Sequence, residues 1–428
     1  MNIVMLTNTY TPHVGGVARS VDAFTAEYRR RGDRVLVVAP EFENQPQDEL
    51  DVLRIPAIQN FNGSDFSLVL PVSGLLTQAL DAFQPEIVHA HHPYLLGMTA
   101  LRISRYRQLP LVFTHHTLYE QYTHYVPAES PALKRFVIDL ATRYANLADQ
   151  VFAPSDSIGA LLRERGVRVP IAIVPTGVDV EHFANGDGTG FRAAMGIPAD
   201  AFVVGHVGRL APEKNLDFLT EAVARFLGSE RSAHFLVAGK GPSEAQIRAI
   251  FSRHGLTERL HVIGILERER LPDVYHAMDV FAFASKSETQ GIVLAEAMAA
   301  GTPVVALDAP GARETVNDGA NGRLLREETA EAYAAALQWV ACLAPTQRLA
   351  LKQSARETAR AFSMQSSATK ALACYAALHG PVVASSPQAY AQITRLLRLI
   401  QAEWDILQGM LGAAGAALSG SQPPDKVP

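Results

Sequence analysis

Val280–Ala284 and Val304–Leu307 are uninterrupted apolar runs, too short for helices and rich in β-branched and aromatic residues. Such runs read as strands buried on both faces, the kind found in parallel sheets covered by helices. Between them stand a polar loop, Ser285–Gly291, and a run of good helix formers, Ile292–Ala300, with Gly301 where a helix C-cap belongs. Strand, loop, helix, strand is the crossover unit that a parallel sheet requires. In open α/β sheets, ligands bind at the carboxyl ends of the strands. This loop carries Glu288, and Glu296 follows eight residues later on the helix. The amides of Thr289, Gln290, Gly291 and Ile292 open the helix without intrahelical partners and favour an anion. Two carboxylates flanking such amides suit a ligand that is both polyol and phosphate. The alternative is a pair of solvated surface charges.

The same order recurs along the chain. Asn2–Thr7 reads as a buried strand, followed by a loop with Gly15 and Gly16, a helix over 17–31 and a strand at Val35–Ala39. Glycines at a loop–helix junction let backbone approach a ligand, although a tight turn explains them equally well. Residues 42–66 look irregular, with a hairpin near Val52–Ile55. Helix 75–83, strand Glu86–His92, helix 95–107, a strand from Leu111, helix 131–147, strand Gln150–Ala153 and a last strand within Val169–Asp179 complete the first half. In the second half, strand Ala201–Val207 runs into Gly208-Arg209 and Glu213-Lys214-Asn215, then helix 216–227 and strand His234–Ala238. Gly239-Lys240-Gly241 opens a helix over 243–254, and a short strand at 261–263 and a helix over 269–277 lead to Val280. Arg209 and Lys214 at the end of a strand can neutralise a diphosphate. They can also be surface cations paired with an acid such as Glu213.

These alternations predict an α/β protein with two doubly wound sheets facing across a cleft. The expected boundaries are a first domain over 1–178, a second over 179–363, a helix at 364–384 returning to the first, and an extension over 385–428. The 428 residues are too many for one ordinary core, and 48% hydrophobic with 19% charged residues describes a globular chain. A net charge of −5 argues against nucleic acid as a partner. Cys342 and Cys374 make neither a disulfide framework nor a metal cluster. Histidines at 91, 92, 115, 116 and 124 raise a metal site, but adjacent histidines on a strand point to opposite faces and no H-E-x-x-H spacing occurs. One histidine at a strand end is the simpler reading. No G-x-G-x-x-G follows a strand, which disfavours a dinucleotide-dependent oxidoreductase. The chain enters its first strand at once, and no apolar run approaches about 18 residues, so a cytoplasmic protein is expected.

Gly15-Gly16, Gly208-Arg209 with Glu213-Lys214-Asn215, and Glu288-x7-Glu296 with Gly291 together resemble the family 4 retaining glycosyltransferases of the GT-B fold, over roughly residues 1–378. The resemblance implies a role for each matching position. Arg209 and Lys214 bind the donor diphosphate and stabilise it as a leaving group, and Gly16 brings backbone N–H to it. Glu296 accepts from ribose hydroxyls. Glu288 holds sugar hydroxyls, helped by the backbone of Thr289, Gln290, Gly291 and Ile292. His116 lies near the reacting face of the donor sugar. No divalent metal or other cofactor is implied. The acceptor hydroxyl attacks from the face that the diphosphate leaves, and a donor phosphate oxygen takes its proton.

The segment His116-Thr-Leu-Tyr119-Glu-Gln-Tyr122-Thr-His-Tyr125 is similar to the corresponding loop of diacylglycerol glucosyltransferases. That similarity implies UDP-glucose as donor, a diacylglycerol lipid as acceptor and contact with the inner face of the cell membrane. Tyr119, Tyr122 and Tyr125 would cover and orient the glyceride. A GDP-mannose-dependent mannosyltransferase acting on a phosphatidylinositol-type or soluble sugar acceptor shares every core motif, and a nucleotide-sugar-binding protein without transferase activity is the rival of another class. A sugar-nucleotide epimerase or a phosphorylase on the same fold is a further rival. Oligomeric state is left open.

Beyond Ser385-Ser-Pro387, the residues Tyr390, Ile393, Leu397, Ile400, Trp404, Leu407 and Leu411 form an apolar stripe on a helix of about 22 residues. The stripe can pack on the protein itself, lie on a membrane or pair with another chain. Gly412–Pro428 reads as disordered.

Overall fold

The computed structural model describes residues 1–13, 15–58, 68–69, 73–118, 120, 131–379, 398, 401–410 and 413. The chain divides into two compact units: Met1–Thr176 with the described residues from Ser367 onward, and Gly177–Ser366.

In the first unit, β1 (Asn2–Leu6), α1 (Gly16–Arg30), β2 (Arg34–Pro40) and β3 (Val52–Ile55) come first. A small antiparallel pair follows, β4 (Ala57–Ile58) with β5 (Leu68–Val69). Next are α2 (Ser73–Phe83), β6 (Ile87–Ala90), α3 (Leu96–Arg107), β7 (Leu111–Thr114), α4 (Pro131–Ala145), β8 (Gln150–Ala153), α5 (Asp156–Glu164) and β9 (Ile171–Ile173). Seven strands form one sheet in the order β3-β2-β1-β6-β7-β8-β9, every neighbouring pair parallel. The strand order reverses between β1 and β6, where Met5 pairs with His89 and Leu6 with Ala90.

Val52–Ile55 corrects the sequence reading. It is the parallel edge strand beside β2, with Val37 opposite Val52, and not part of a hairpin. The hydrophobic alternation of four residues does not encode which partner they pair with, and the antiparallel pair lies just after it.

The second unit opens with two short helices, α6 (Val180–Ala184) and α7 (Gly188–Ala194), each capped by an aspartate that accepts from the first turn, Asp179 from His182 N and Asp187 from Gly190 N. Then come β10 (Phe202–Val207), α8 (Leu216–Ser229), β11 (Ala233–Ala238), α9 (Glu244–Arg253), β12 (Leu260–Val262), α10 (Leu271–His276), β13 (Val280–Phe283), α11 (Ile292–Ala299) and β14 (Val304–Leu307). β15 (Gly322–Leu325), α12 (Ala330–Ala341) and α13 (Pro345–Ala361) complete the unit. The sheet is parallel in the order β12-β11-β10-β13-β14-β15, reversing between β10 and β13.

The apolar runs behave as double-sided strands. In β13, Phe281 and Phe283 enter one core while Val280 and Ala282 enter the other. In β14, Val304 and Ala306 separate from Val305 and Leu307 in the same way. Each strand therefore ties helices on both faces to one sheet, which fixes where its carboxyl end points.

The last long helix, α14 (Met364–Leu378), carries the chain from the second unit back to the first. Its Tyr375 is fully buried, bonds to His89 Nδ1 through its hydroxyl at 2.6 Å and stacks on Phe152. Residues 401–410 are helical and also belong to the first unit, where Ala402 and Ile406 are buried and Arg102 of α3 pairs with Glu403. This corrects the stripe read from the sequence. The face that packs holds Ala402 and Ile406, while Trp404 and Leu407 of the stripe are 54% and 46% exposed. A small alanine on the packing face is what a periodicity count of large apolar residues overlooks. Tyr390, Ile393, Leu397, Ile400, Leu411 and Gly412 lie outside the described residues. No described helix is long and apolar enough to cross a membrane.

Candidate active site

In the second unit the reversal of strand order sets the loop after β10 beside the loop after β13. The β10 loop turns through a short 3-10 turn, Pro212–Lys214, and Asn215 in the left-handed region, into α8. Its backbone lies directly against the loop after β11: Leu210 N donates to Lys240 O at 2.9 Å, and Gly208 N to Ala238 O at 3.0 Å. At Gly239, with φ +148°, a Cβ would fall 1.8 Å from Gly208 O, so only glycine fits.

The β13 loop is held to the β10 loop by side chains. Ser287 Oγ donates to Glu213 O at 3.2 Å, and Asn215 Nδ2 donates to Ala284 O at 3.4 Å and to Glu328 Oε1 at 2.8 Å. Across this seam Lys214 Nζ is hydrogen-bonded to Glu288 Oε1, both side chains being mostly buried. Arg209 pairs with Glu213, and its side chain is 47% exposed while that of Glu213 is 9% exposed. Each cation therefore has an acidic partner, and the two pairs stand at the carboxyl ends of β10 and β13.

Gly291, with φ +70°, turns the β13 loop into α11. Thr289 and Ile292 are partly exposed and Gln290 is buried. Glu296, one turn into that helix, is only 1% exposed and accepts from Tyr275 Oη on Oε2 at 2.8 Å. Tyr275, on α10, is itself fully buried, and Thr302 Oγ1 donates to its carbonyl. The sequence reading placed Glu296 at a ligand and did not single out Tyr275, whose hydroxyl now fixes one carboxylate oxygen.

His206, near the end of β10, is a second residue the sequence reading passed over as ordinary strand. Its Nδ1 lies 3.1 Å from Ala282 O, an acceptor only, so the proton is on Nδ1. Nε2 is buried without a hydrogen-bond partner. Burial lowers this imidazole to about 4, so it is neutral.

In the first unit the corresponding reversal lies at β1 and β6. Gly16 begins α1, is exposed, and a Cβ built there would meet nothing within 4 Å. The histidines segregate by strand alternation. His92 accepts from Asn8 N through Nδ1 at 3.1 Å, whereas His89 and His91 lie on one face with ring centroids 4.1 Å apart. On that face His89 Nε2 meets Thr114 Oγ1 at 2.7 Å, and His91 Nδ1 meets His116 Nε2 at 2.9 Å. Burial holds His89, His92 and His115 down to about 3. Among the described residues no three His, Cys, Asp or Glu side chains are grouped to hold a metal ion. Arg165 pairs with Glu120 at 2.6 Å, anchoring the one described residue of its loop beyond Leu118. Tyr119, Tyr122, His124 and Tyr125 lie outside the described residues.

Comparison with known proteins places both halves. Residues 14–182 match the model "Glycosyltransferase Family 4", and residues 189–358 match "Glycosyl transferases group 1". An alpha-monoglucosyldiacylglycerol synthase of Streptococcus pneumoniae is 27% identical over 76% of this chain and 75% of its own. A D-inositol 3-phosphate glycosyltransferase of Saccharomonospora viridis is 32% identical over 82% of this chain and 87% of its own. The crystal structure of HepE from Anabaena in complex with UDP superposes with a TM-score of 0.68 at 22% identity, covering 88% of this chain and all of that one. Two parallel-sheet Rossmann-like units in this order are the GT-B fold, and the chain belongs to the group 1, family 4 glycosyltransferases and is a hexosyltransferase.

Proposed function

We propose that this enzyme transfers glucose from UDP-glucose to a diacylglycerol-type lipid with retention at the anomeric carbon and without a divalent metal. The bond between Lys214 and Glu288 carries the proposal. It gathers a cation and a carboxylate at the reversal point of the nucleotide-binding sheet, where a diphosphate and a sugar can each take one of them. Arg209, half exposed beside Glu213, supplies the second cation to the leaving diphosphate. The amides opening α11 add their dipoles to the same charge. Glu288, released from Lys214, accepts from sugar hydroxyls, and the Glu296 carboxylate accepts from the ribose. Gly16 gives its backbone N–H to the diphosphate, a role supported by the absence of a side chain at the start of α1. His116 holds the donor sugar, and Tyr119, Tyr122 and Tyr125 form the acceptor surface. The donor phosphate oxygen that parts from the sugar takes the proton of the attacking hydroxyl, so no protein base is required for that step.

UDP in the HepE complex supports the nucleotide, and the likeness to a diacylglycerol glucosyltransferase supports the lipid. The higher identity to a D-inositol 3-phosphate glycosyltransferase favours a second reading, a soluble phosphorylated acceptor. UDP-glucose and GDP-mannose, each offered with diacylglycerol micelles or with inositol 3-phosphate, separate them. The proposal expects a glycolipid from UDP-glucose and diacylglycerol. Product only with inositol 3-phosphate establishes the second reading, and no transfer with any pairing leaves a nucleotide-sugar-binding protein.

A further inference from the structure

His91 and His116 follow neighbouring strands, β6 and β7, and their imidazoles meet at 2.9 Å between His91 Nδ1 and His116 Nε2. One proton lies between these nitrogens, and the ring that carries it decides what the other can do. Burial first, then the neighbouring imidazoles, hold both groups well below 6.5, which favours a neutral pair. Two neutral arrangements remain. If His116 donates from Nε2, the single proton of His91 sits on its own Nε2. That atom is buried with no hydrogen-bond partner, so an N–H would be orphaned. If His91 donates from Nδ1, its Nε2 is a bare lone pair. A buried N–H without an acceptor is the rarer defect in folded proteins. His89, packed on the His91 ring at 4.1 Å between centroids, keeps that ring in place.

We infer that His91 is a positioning residue that donates from Nδ1–H to His116 Nε2 and fixes His116 as the neutral tautomer with its proton on Nδ1. The consequence for catalysis rests on the transferase function proposed above. A His116 held this way does not act as a base through Nε2, and any hydrogen bond it donates comes from Nδ1–H. Its place beside the donor sugar is then that of an orienting donor, consistent with a donor phosphate oxygen taking the proton.

The test has two parts, both on the full chain. Nitrogen NMR of histidine-labelled protein without substrate reads the tautomers directly. The expected spectrum has His116 and His91 both protonated on Nδ1 and bare on Nε2; a proton on His116 Nε2 overturns the inference whatever the substrate is. The second part compares His91→Asn, whose amide N–H replaces Nδ1–H, with the near-isosteric His91→Leu, which offers none. Asn should keep kcat within about threefold, while Leu should lower it about tenfold or more at little change in donor KM, the loss of one oriented hydrogen bond. Equal kcat in both variants overturns the positioning role, and loss in both with unchanged thermal unfolding does so as well. If the Leu variant does not fold, the NMR assignment decides alone.

Discussion

Lys214, on the loop leaving β10, is hydrogen-bonded through Nζ to Glu288, on the loop leaving β13, across 74 residues of sequence. The contact exists because β10 and β13 are the adjacent strands at which the sheet order reverses. On the function proposed above, a donor that brings both a diphosphate and sugar hydroxyls would exchange this one internal bond for two external ones. Ion pairs of this partly buried kind contribute little net stability, so on that proposal the exchange would cost the fold little.

The hydroxyl of Tyr275 holds Glu296 in a site where both are buried. Tyr275→Phe removes one partner from a buried carboxylate at almost no change in volume. Urea unfolding should show a loss of about 1–3 kcal/mol, and titration with UDP should show weaker binding. Stability and UDP affinity both equal to wild type would mean that Glu296 is held by other contacts.

Acid should loosen the first unit. His89, His92 and His115 lie near 6.5 when unfolded and are held at about 3 in the fold by burial. The folded pKa is the lower one, so as pH falls the unfolded chain takes up protons first. Their contribution is complete above about pH 6.5 and is lost progressively down to about pH 3. Each histidine supplies a slope of roughly 1.4 kcal/mol per pH unit inside that window. The urea midpoint should fall clearly between pH 7.5 and pH 5.5, and a flat midpoint would contradict the buried neutral assignment.

Ile406 and Trp404 stand on one short helix with opposite fates. Ile406→Ala opens a cavity in the first unit's core and should cost about 2 kcal/mol or more, while Trp404→Ala should change stability by less than about 0.5 kcal/mol. Calorimetry on the two variants decides this. Equal losses would mean that the helix packs by another face.

The strand–helix alternation of the second unit was legible as far as β14 because those strands are apolar runs, with Arg209, Lys214 and Glu288 at the loops they define and Glu296 on the next helix; β15, α12 and α13 were not read. Other features were not read either. Val52–Ile55 pairs in parallel because β2 lies next to it in space, which four residues cannot announce. α5, nine residues long, is capped by Ser155, whose hydroxyl accepts from Ile158 N; this cap and the i, i+3, i+4 spacing of Ile158, Leu161 and Leu162 are both in the sequence, and the reading passed over them. Tyr275 meets Glu296 only because α10 packs beside α11, and His91 meets His116 only because β6 and β7 are neighbours. Such pairs are products of tertiary packing, so spacing along the chain does not reveal them.

The measurement that bears most directly on the account is UDP release from UDP-glucose in the presence of EDTA, with and without diacylglycerol micelles, for the wild-type enzyme and Lys214→Ala. The account predicts release that requires the lipid, yields a glycolipid and survives EDTA, and that falls about 10²-fold or more without the lysine, the scale of losing one charge-stabilising donor in the transition state. Release indifferent to the lipid, or a Lys214→Ala rate within a few-fold of wild type, would contradict it.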